Sequence, residues 1–207
     1  MFDEKMIESN KIRFIELLQS IDREGMDVDK LINKLCNSDF FIAPASTKYH
    51  YAFRGGLCAH SLNVYDNLNS LWRMKGCPEV DENSIKIVGL LHDISKMNIY
   101  EIYFKNEKVY CADGDKRDEN GTFKWVSKSA YKQKDNKFTY GSHEMTSEFI
   151  ARQFVPLTID ESVAILHHMG GMNWDSAKDD LGAVFGQYSL ATLVHLADML
   201  ATYIDEG

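Results

Sequence analysis

The feature that most constrains this chain is the stretch Gly89–Lys96, GLLHDISK, where a histidine, an aspartate and a lysine close an apolar helical run. Ionisable groups on a face that packs into a core are costly unless they are paired or bound to a cation. Either the helix ends in solvent here, or a positive charge sits against His92 and Asp93.

The remaining histidines extend the question. The chain has 7: His50, His60, His92, His143, His167, His168 and His195. Six fall inside or at the end of an apolar helical pattern, and each buried one needs its own hydrogen-bond partner. His60, Val64, Leu68 and Leu71 recur on one helix face, which turns His60 inward. In LATLVHLADMLATYID, His195 and Asp198 stand three apart on a stripe with Ala191 and Thr202. That spacing is either a ligand arrangement or a helix-internal hydrogen bond. His167 and His168 are adjacent and point about 100° apart on a helix, so one of them faces such a site. Imidazole with carboxylate suits Mn, Fe, Co, Ni or Zn, with Mg also possible. Two histidines and two aspartates hold one metal; His143 and one of His167 and His168 make enough for two, with Asp93 as the bridge.

Charge and composition narrow the classes. The formal net charge is −8, which argues against general nucleic-acid binding. The stretch Lys105–Lys137 is nevertheless net +3 and the remainder −11, so that stretch is either a solvated edge or a patch for an anionic substrate. The 4 cysteines (Cys36, Cys58, Cys77 and Cys111) form no CxxC pair, which fits a reducing compartment. No apolar run reaches membrane-spanning length, and MFDEKMIESNK lacks the apolar core of a signal peptide. The expectation is a cytoplasmic protein.

Periodicity predicts helices over 3–22, Val28–Cys36, Leu57 to about Met74, Glu82–Lys96 with Asp81 as N-cap, Ser142–Phe154, Thr158–His168 and Gln187–Asp205. Residues 39–56 read as a loop, and so does the glycine-rich segment 169–186. Between 100 and 141 the pattern changes to aromatic and β-branched residues among lysines, with turn signals at Asp113-Gly114 and Asn120-Gly121. The fold expected is an all-α bundle with a small β-hairpin insertion over about 100–141. It forms one domain over 1–207, with N-terminal helices over 1–38 and a core over 40–205.

The ordered set His60, His92-Asp93, His143, His168 and Asp198 resembles the H…HD…H…H…D signature of the HD-domain metal-dependent phosphohydrolase superfamily, and Lys96 completes its HD-x-x-K form. PASTKYHYAFRGGLCAHSLNVY (Pro44–Tyr65) and HHMGGMNWD (His167–Asp175) resemble HD hydrolases of bacterial and phage genomes. The first is also similar to the HD module of a bacterial 3′–5′ exoribonuclease. The G-Y-P motif of the cyclic-dinucleotide phosphodiesterases is missing from the chain, which also lacks the exoribonuclease's OB-fold domain and has a β insertion instead.

The resemblance implies a helical HD fold and hydrolysis of a phosphoester in a nucleotide or short oligonucleotide. It implies that His60, His92, Asp93 and Asp198 bind one metal and that Asp93, His143 and His168 bind a second. It favours His168 over His167 as the ligand, and it places Lys96 beside Asp93 or a phosphoryl oxygen, where both are catalytic. His50 and Arg54 are candidates to touch the substrate phosphate, and His195 to support Asp198. Tyr103, Tyr110, Trp125 and Tyr131 could stack a base or form the insertion's own packed face, and Trp174 could cover the site. The partner expected is a small phosphorylated molecule, with no membrane contact. Rival readings on the same ligands are a di-iron oxygenase, an exoribonuclease-like nuclease, and a metal-stabilised binding domain without catalysis.

Overall fold

In the computed structural model, residues 2–77, 79–170 and 181–207 are described. Helices α1 (Glu4–Gln19) and α2 (Val28–Cys36) open the chain, capped by the Asp3 and Asp27 side chains. Phe14 and Leu18 of α1 and Leu31 and Leu35 of α2 are fully buried. Phe14 packs against Phe40 and Phe41 with ring centroids 5.0 and 5.8 Å apart. This aromatic cluster seals one end of the core.

Helix α3 (Gly56–Lys75) follows a left-handed Gly55, and α4 (Glu82–Leu91) is capped by Asp81 as expected. The two helices pack closely at Gly89, where a Cβ would lie 2.8 Å from the Tyr65 Cα. That close approach sets the distance between the histidines that each helix carries. Helix α4 ends at Leu91 rather than continuing to Lys96. His92 caps it, Asp93 leaves the helical region at φ −112° and ψ 17°, and a 3₁₀ turn (Ile94–Lys96) follows. Helical periodicity does not register this break, because Leu90, Leu91 and Ile94 are buried on both sides of it.

The insertion is a three-stranded antiparallel sheet in the order β1 (Tyr100–Tyr110), β3 (Gly121–Gln133), β2 (Lys116–Asp118). Strands β1 and β3 pair from Tyr100 opposite Gln133 to Tyr110 opposite Phe123, and β2 adds to the far edge of β3. The domain is thus mostly helical with a small sheet, not all-α with a simple hairpin. The tight turn falls at Glu119-Asn120, one residue before the expected Asn120-Gly121, because Asp118 Oδ1 accepts the Asn120 N–H at 2.9 Å.

Helices α5 (His143–Ala151), α6 (Ile159–His167), α7 (Leu181–Gln187) and α8 (Ser189–Leu200) complete the bundle. Helix α7 occupies part of the segment expected as loop, and residues 171–180 of that segment, with Trp174, lie outside the described residues. The buried Leu190, Ala191, Val194 and Ala197 seat α8 against α3 and α6. A π-helical turn (Ala201–Asp205) extends α8, with the Glu206 N–H donating to Ala201 O at 3.0 Å. Among the described residues no helix is long and apolar enough to cross a membrane.

Candidate metal centre

The break after α4 answers the question raised by GLLHDISK. His92 and Asp93 are buried, at 0% and 1% exposure, and face histidines from three other helices. Asp93 divides its oxygens between two groups. Oδ2 lies 3.5 Å from His60 Nε2, 3.5 Å from His92 Nε2 and 2.7 Å from Lys96 Nζ. Oδ1 lies 3.7 Å from both His143 Nε2 and His168 Nε2. Asp198 joins the first group through its Oδ1, 3.3 Å from His60 Nε2.

The outer nitrogens of the rings are held. His92 Nδ1 donates to Gly89 O at 3.0 Å and His168 Nδ1 to Ile165 O at 2.8 Å, which leaves each Nε2 with its lone pair toward Asp93. His60 Nδ1 faces the Glu206 carboxylate at 3.1 and 3.2 Å. His143 is the first residue of α5. Its carbonyl accepts the Ser95 hydroxyl at 2.9 Å, and Ser147 donates to Ser95 at 2.9 Å, tying α5 to the 3₁₀ turn.

Two observations fit this donor set to divalent cations. First, His60 Nε2 has Asp198, Asp93 and the His92 Nε2 lone pair within 3.5 Å, the last at 3.4 Å. One proton cannot serve three acceptors, whereas a cation can. Second, Asp93 Oδ1, His143 Nε2 and His168 Nε2 are buried without a hydrogen-bond partner among the described residues. Such orphans are costly unless a metal takes them up. Their 3.7 Å separations are too long for hydrogen bonds and close to the roughly 3–3.5 Å between two ligands of one ion. His60, His92 and Asp93 form one candidate ligand group and Asp93, His143 and His168 a second, with the donor atoms of each within 4.8 Å of one another; His50, His60 and Glu206 meet the same limit on the other side of the His60 ring.

The electrostatics follow from the burial. Burial pushes His168 down to about 4 and lowers His143, so both are neutral and able to bind metal at neutral pH. Burial alone would raise Asp93, but Lys96 and His92 outweigh it and hold the carboxyl well below the usual range. Burial likewise opposes a charge on His60, yet Asp198, Asp93 and Glu206 together raise it well above 6.5. Asp198 is lowered, despite its burial, by His60.

A cavity of ≈ 340 Å³ opens onto the centre, lined by His50, His60, Asp93, Lys96, His143 and Asp198 among others. The structure therefore brings together His60, His92, Asp93, Lys96, His143, His168 and Asp198, with His50 beside them. The His50 ring lies 4.8 Å from that of His60, and burial pushes it down to about 4. Arg54 is not brought to the cavity: its guanidinium donates to Glu4 on α1 at 2.6 Å, at the surface. His167 bonds Val163 O through Nδ1 and belongs to neither ligand group. His195 supports His168 rather than Asp198, because its Nδ1 donates to the His168 carbonyl at 2.7 Å. Tyr103, Tyr110, Trp125 and Tyr131 do not line the cavity. Within the sheet, Lys108 stands 4.3 Å over the Phe123 ring and Tyr110 donates to Asp118 at 2.9 Å.

Sequence reasoning missed Glu206, Ser95 and Ser147. Glu206 follows the last apolar stripe with no helical signal of its own, and the serines read as ordinary helix and turn residues.

The HD-domain family model matches residues 57–203, from the start of α3 into the π turn. The chain belongs to the HD-domain family. No curated protein and no solved structure matches it. The matched span holds every residue of both ligand groups. In this HD domain the histidine-aspartate pair sits at the end of α4, where the change from α-helix to 3₁₀ turn lets consecutive side chains enter one centre.

Proposed function

We propose that this HD domain is a metal-dependent phosphohydrolase that cleaves a phosphoester of a nucleotide or short oligonucleotide. The observation that carries the reading is the bridging Asp93, with one oxygen toward each ligand group, at the floor of a cavity that also holds Lys96 and His50. His60, His92, Asp93 and Asp198 would hold one divalent cation, and Asp93, His143 and His168 a second. Such a pair supplies an activated water at neutral pH and polarises the phosphoryl oxygens.

The chain's own side chains do the rest. Lys96 keeps its proton, since Asp93 outweighs the burial that opposes the charge. It stands at the cavity wall, where it balances a phosphoryl group close to the metals. His50 is neutral, and its buried Nε2 has no hydrogen-bond partner among the described residues. It offers that atom to the substrate, either to a phosphate oxygen or to the leaving oxygen.

The test is turnover of a phosphodiester such as bis-p-nitrophenyl phosphate, then of mononucleotides and dinucleotides, by protein stripped of metal and reloaded with Mn²⁺. Metal-dependent hydrolysis that Asp93→Ala abolishes is the expected result. Protein carrying two metals per chain but inert toward every phosphoester would refute the reading.

A further inference from the structure

Helix α3 carries His60, Asn63 and Asn67 at three- and four-residue spacing, which places them on one face. The chain after α8 lies along that face. Its π-helical turn brings two consecutive acids onto it: Asn67 Nδ2 donates to Asp205 at 2.7 Å and Asn63 Nδ2 donates to Glu206 at 2.9 Å. The Glu206 side chain is fully buried, and both its oxygens lie within 3.2 Å of His60 Nδ1. A carboxylate removed from water this completely is costly without a charged partner. Asn63 and the His60 Nδ1–H are neutral donors to it, and a cation on His60 Nε2 would supply the positive charge through the ring.

The same turn joins both ends of the His60 ring to one element. Asp198 meets Nε2 from the last turn of α8, and Glu206 meets Nδ1 from just beyond the π turn. A regular continuation of the helix would move Glu206 by about 100° around the axis. Single π turns recur at functional positions for this kind of reason.

We infer that Glu206 is a positioning residue for the first metal. It accepts the His60 Nδ1 proton, holds the ring with Nε2 toward Asp198 and Asp93, and makes that nitrogen a stronger ligand. Asn63 holds Glu206 in place. Glu206 hydrogen-bonds His60 and Asn63, neither of which belongs to the second ligand group, so the effect is expected in the first group alone. This inference rests on reading the cluster as a metal centre.

The test uses the full chain and Zn²⁺, with affinity measured by competition against a chromophoric chelator. Glu206→Ala is expected to weaken one of two bound Zn²⁺ ions by about 10–100-fold and leave the other unchanged. Glu206→Gln, which keeps an acceptor, is expected to restore most of the loss. In a His60→Ala background, Glu206→Ala should have no further effect on Zn²⁺ affinity. Zinc affinity unchanged by Glu206→Ala, or lost equally in the His60→Ala background, would overturn the inference. Should Glu206→Ala fail to fold, ¹⁵N NMR of the zinc-loaded wild type decides the matter. A protonated Nδ1 with zinc on Nε2 of His60 is expected, and zinc on Nδ1 would overturn it. Wild-type protein that binds no Zn²⁺ at all would instead refute the metal centre itself.

Discussion

Lys96 holds its ammonium 2.7 Å from Asp93 Oδ2, three residues along the chain and beside the first ligand group. The pair compensates a buried carboxylate with a side-chain cation. Removing one partner of such a pair typically costs about 3–5 kcal/mol, because the other charge is left uncompensated. Lys96→Met should therefore lower the stability of metal-free protein by about 3 kcal/mol. Divalent metal should restore most of it, since the metal then neutralises Asp93. Thermal melts with and without Mn²⁺ check this, and an equal loss in both would separate Lys96 from the centre. Phosphoester turnover by the variant should fall about 100-fold.

Gly89 sets the spacing of the two helices that carry His60 and His92. A Cβ there meets backbone, at 2.8 Å from the Tyr65 Cα, and backbone cannot rotate away. Gly89→Ala should destabilise the fold by about 1–3 kcal/mol through overpacking. It should also weaken metal binding by moving His92 away from His60. Urea unfolding and zinc titration of the one variant check both effects. A variant with wild-type stability would show that α3 and α4 do not pack as closely as described.

Helix α2 spans the residues that periodicity predicts, and Asp81 caps α4 as its position before the apolar run suggests. Capping and amphipathic spacing are local, so residues a few positions apart are enough to reveal them. The inward face of His60 was legible for the same reason, whereas the ordered set from His60 to Asp198 was legible only through its resemblance to the HD signature. The helix break at His92 was not, since Ile94 continues the apolar pattern straight through it. Glu206 and the exchanged role of His195 depend on partners 146 and 27 residues away, and no local pattern encodes those contacts. The partner of Arg54 was not legible either, since Glu4, which its guanidinium meets, lies 50 positions earlier.

Arg23 ties the entry to α2 to the start of α6. It donates to both oxygens of Glu161, at 2.6 and 3.1 Å, and Glu161 is fully buried while also accepting from Ser84 at 2.7 Å. Arg23→Met should cost about 3–5 kcal/mol by stranding that carboxylate. Adding Glu161→Gln should recover part of the loss. Denaturation of the single and double variants measures the coupling directly, and additive losses would contradict it.

Cysteine chemistry reports on the core independently of the centre. Burial pushes the Cys58 thiol up to about 12, whereas Cys36 is exposed. A thiol whose folded pKa lies above its unfolded value stabilises the fold below pH 9 and loses that contribution as pH rises toward 12. At pH 8 a disulfide reagent should therefore label Cys36 within minutes and reach Cys58 only through unfolding. Mass spectrometry of the quenched protein reads both sites. Rapid labelling of Cys58 in native protein would show that α3 is not buried as described.

The central claim is that Asp93 joins two ligand groups, and metal stoichiometry tests it most directly. Elemental analysis after reconstitution with Zn²⁺ should find about two metals per chain in the wild type, one in His143→Ala and none in Asp93→Ala. One metal in the wild type that His143→Ala leaves in place, or full metal content in Asp93→Ala, would contradict the account.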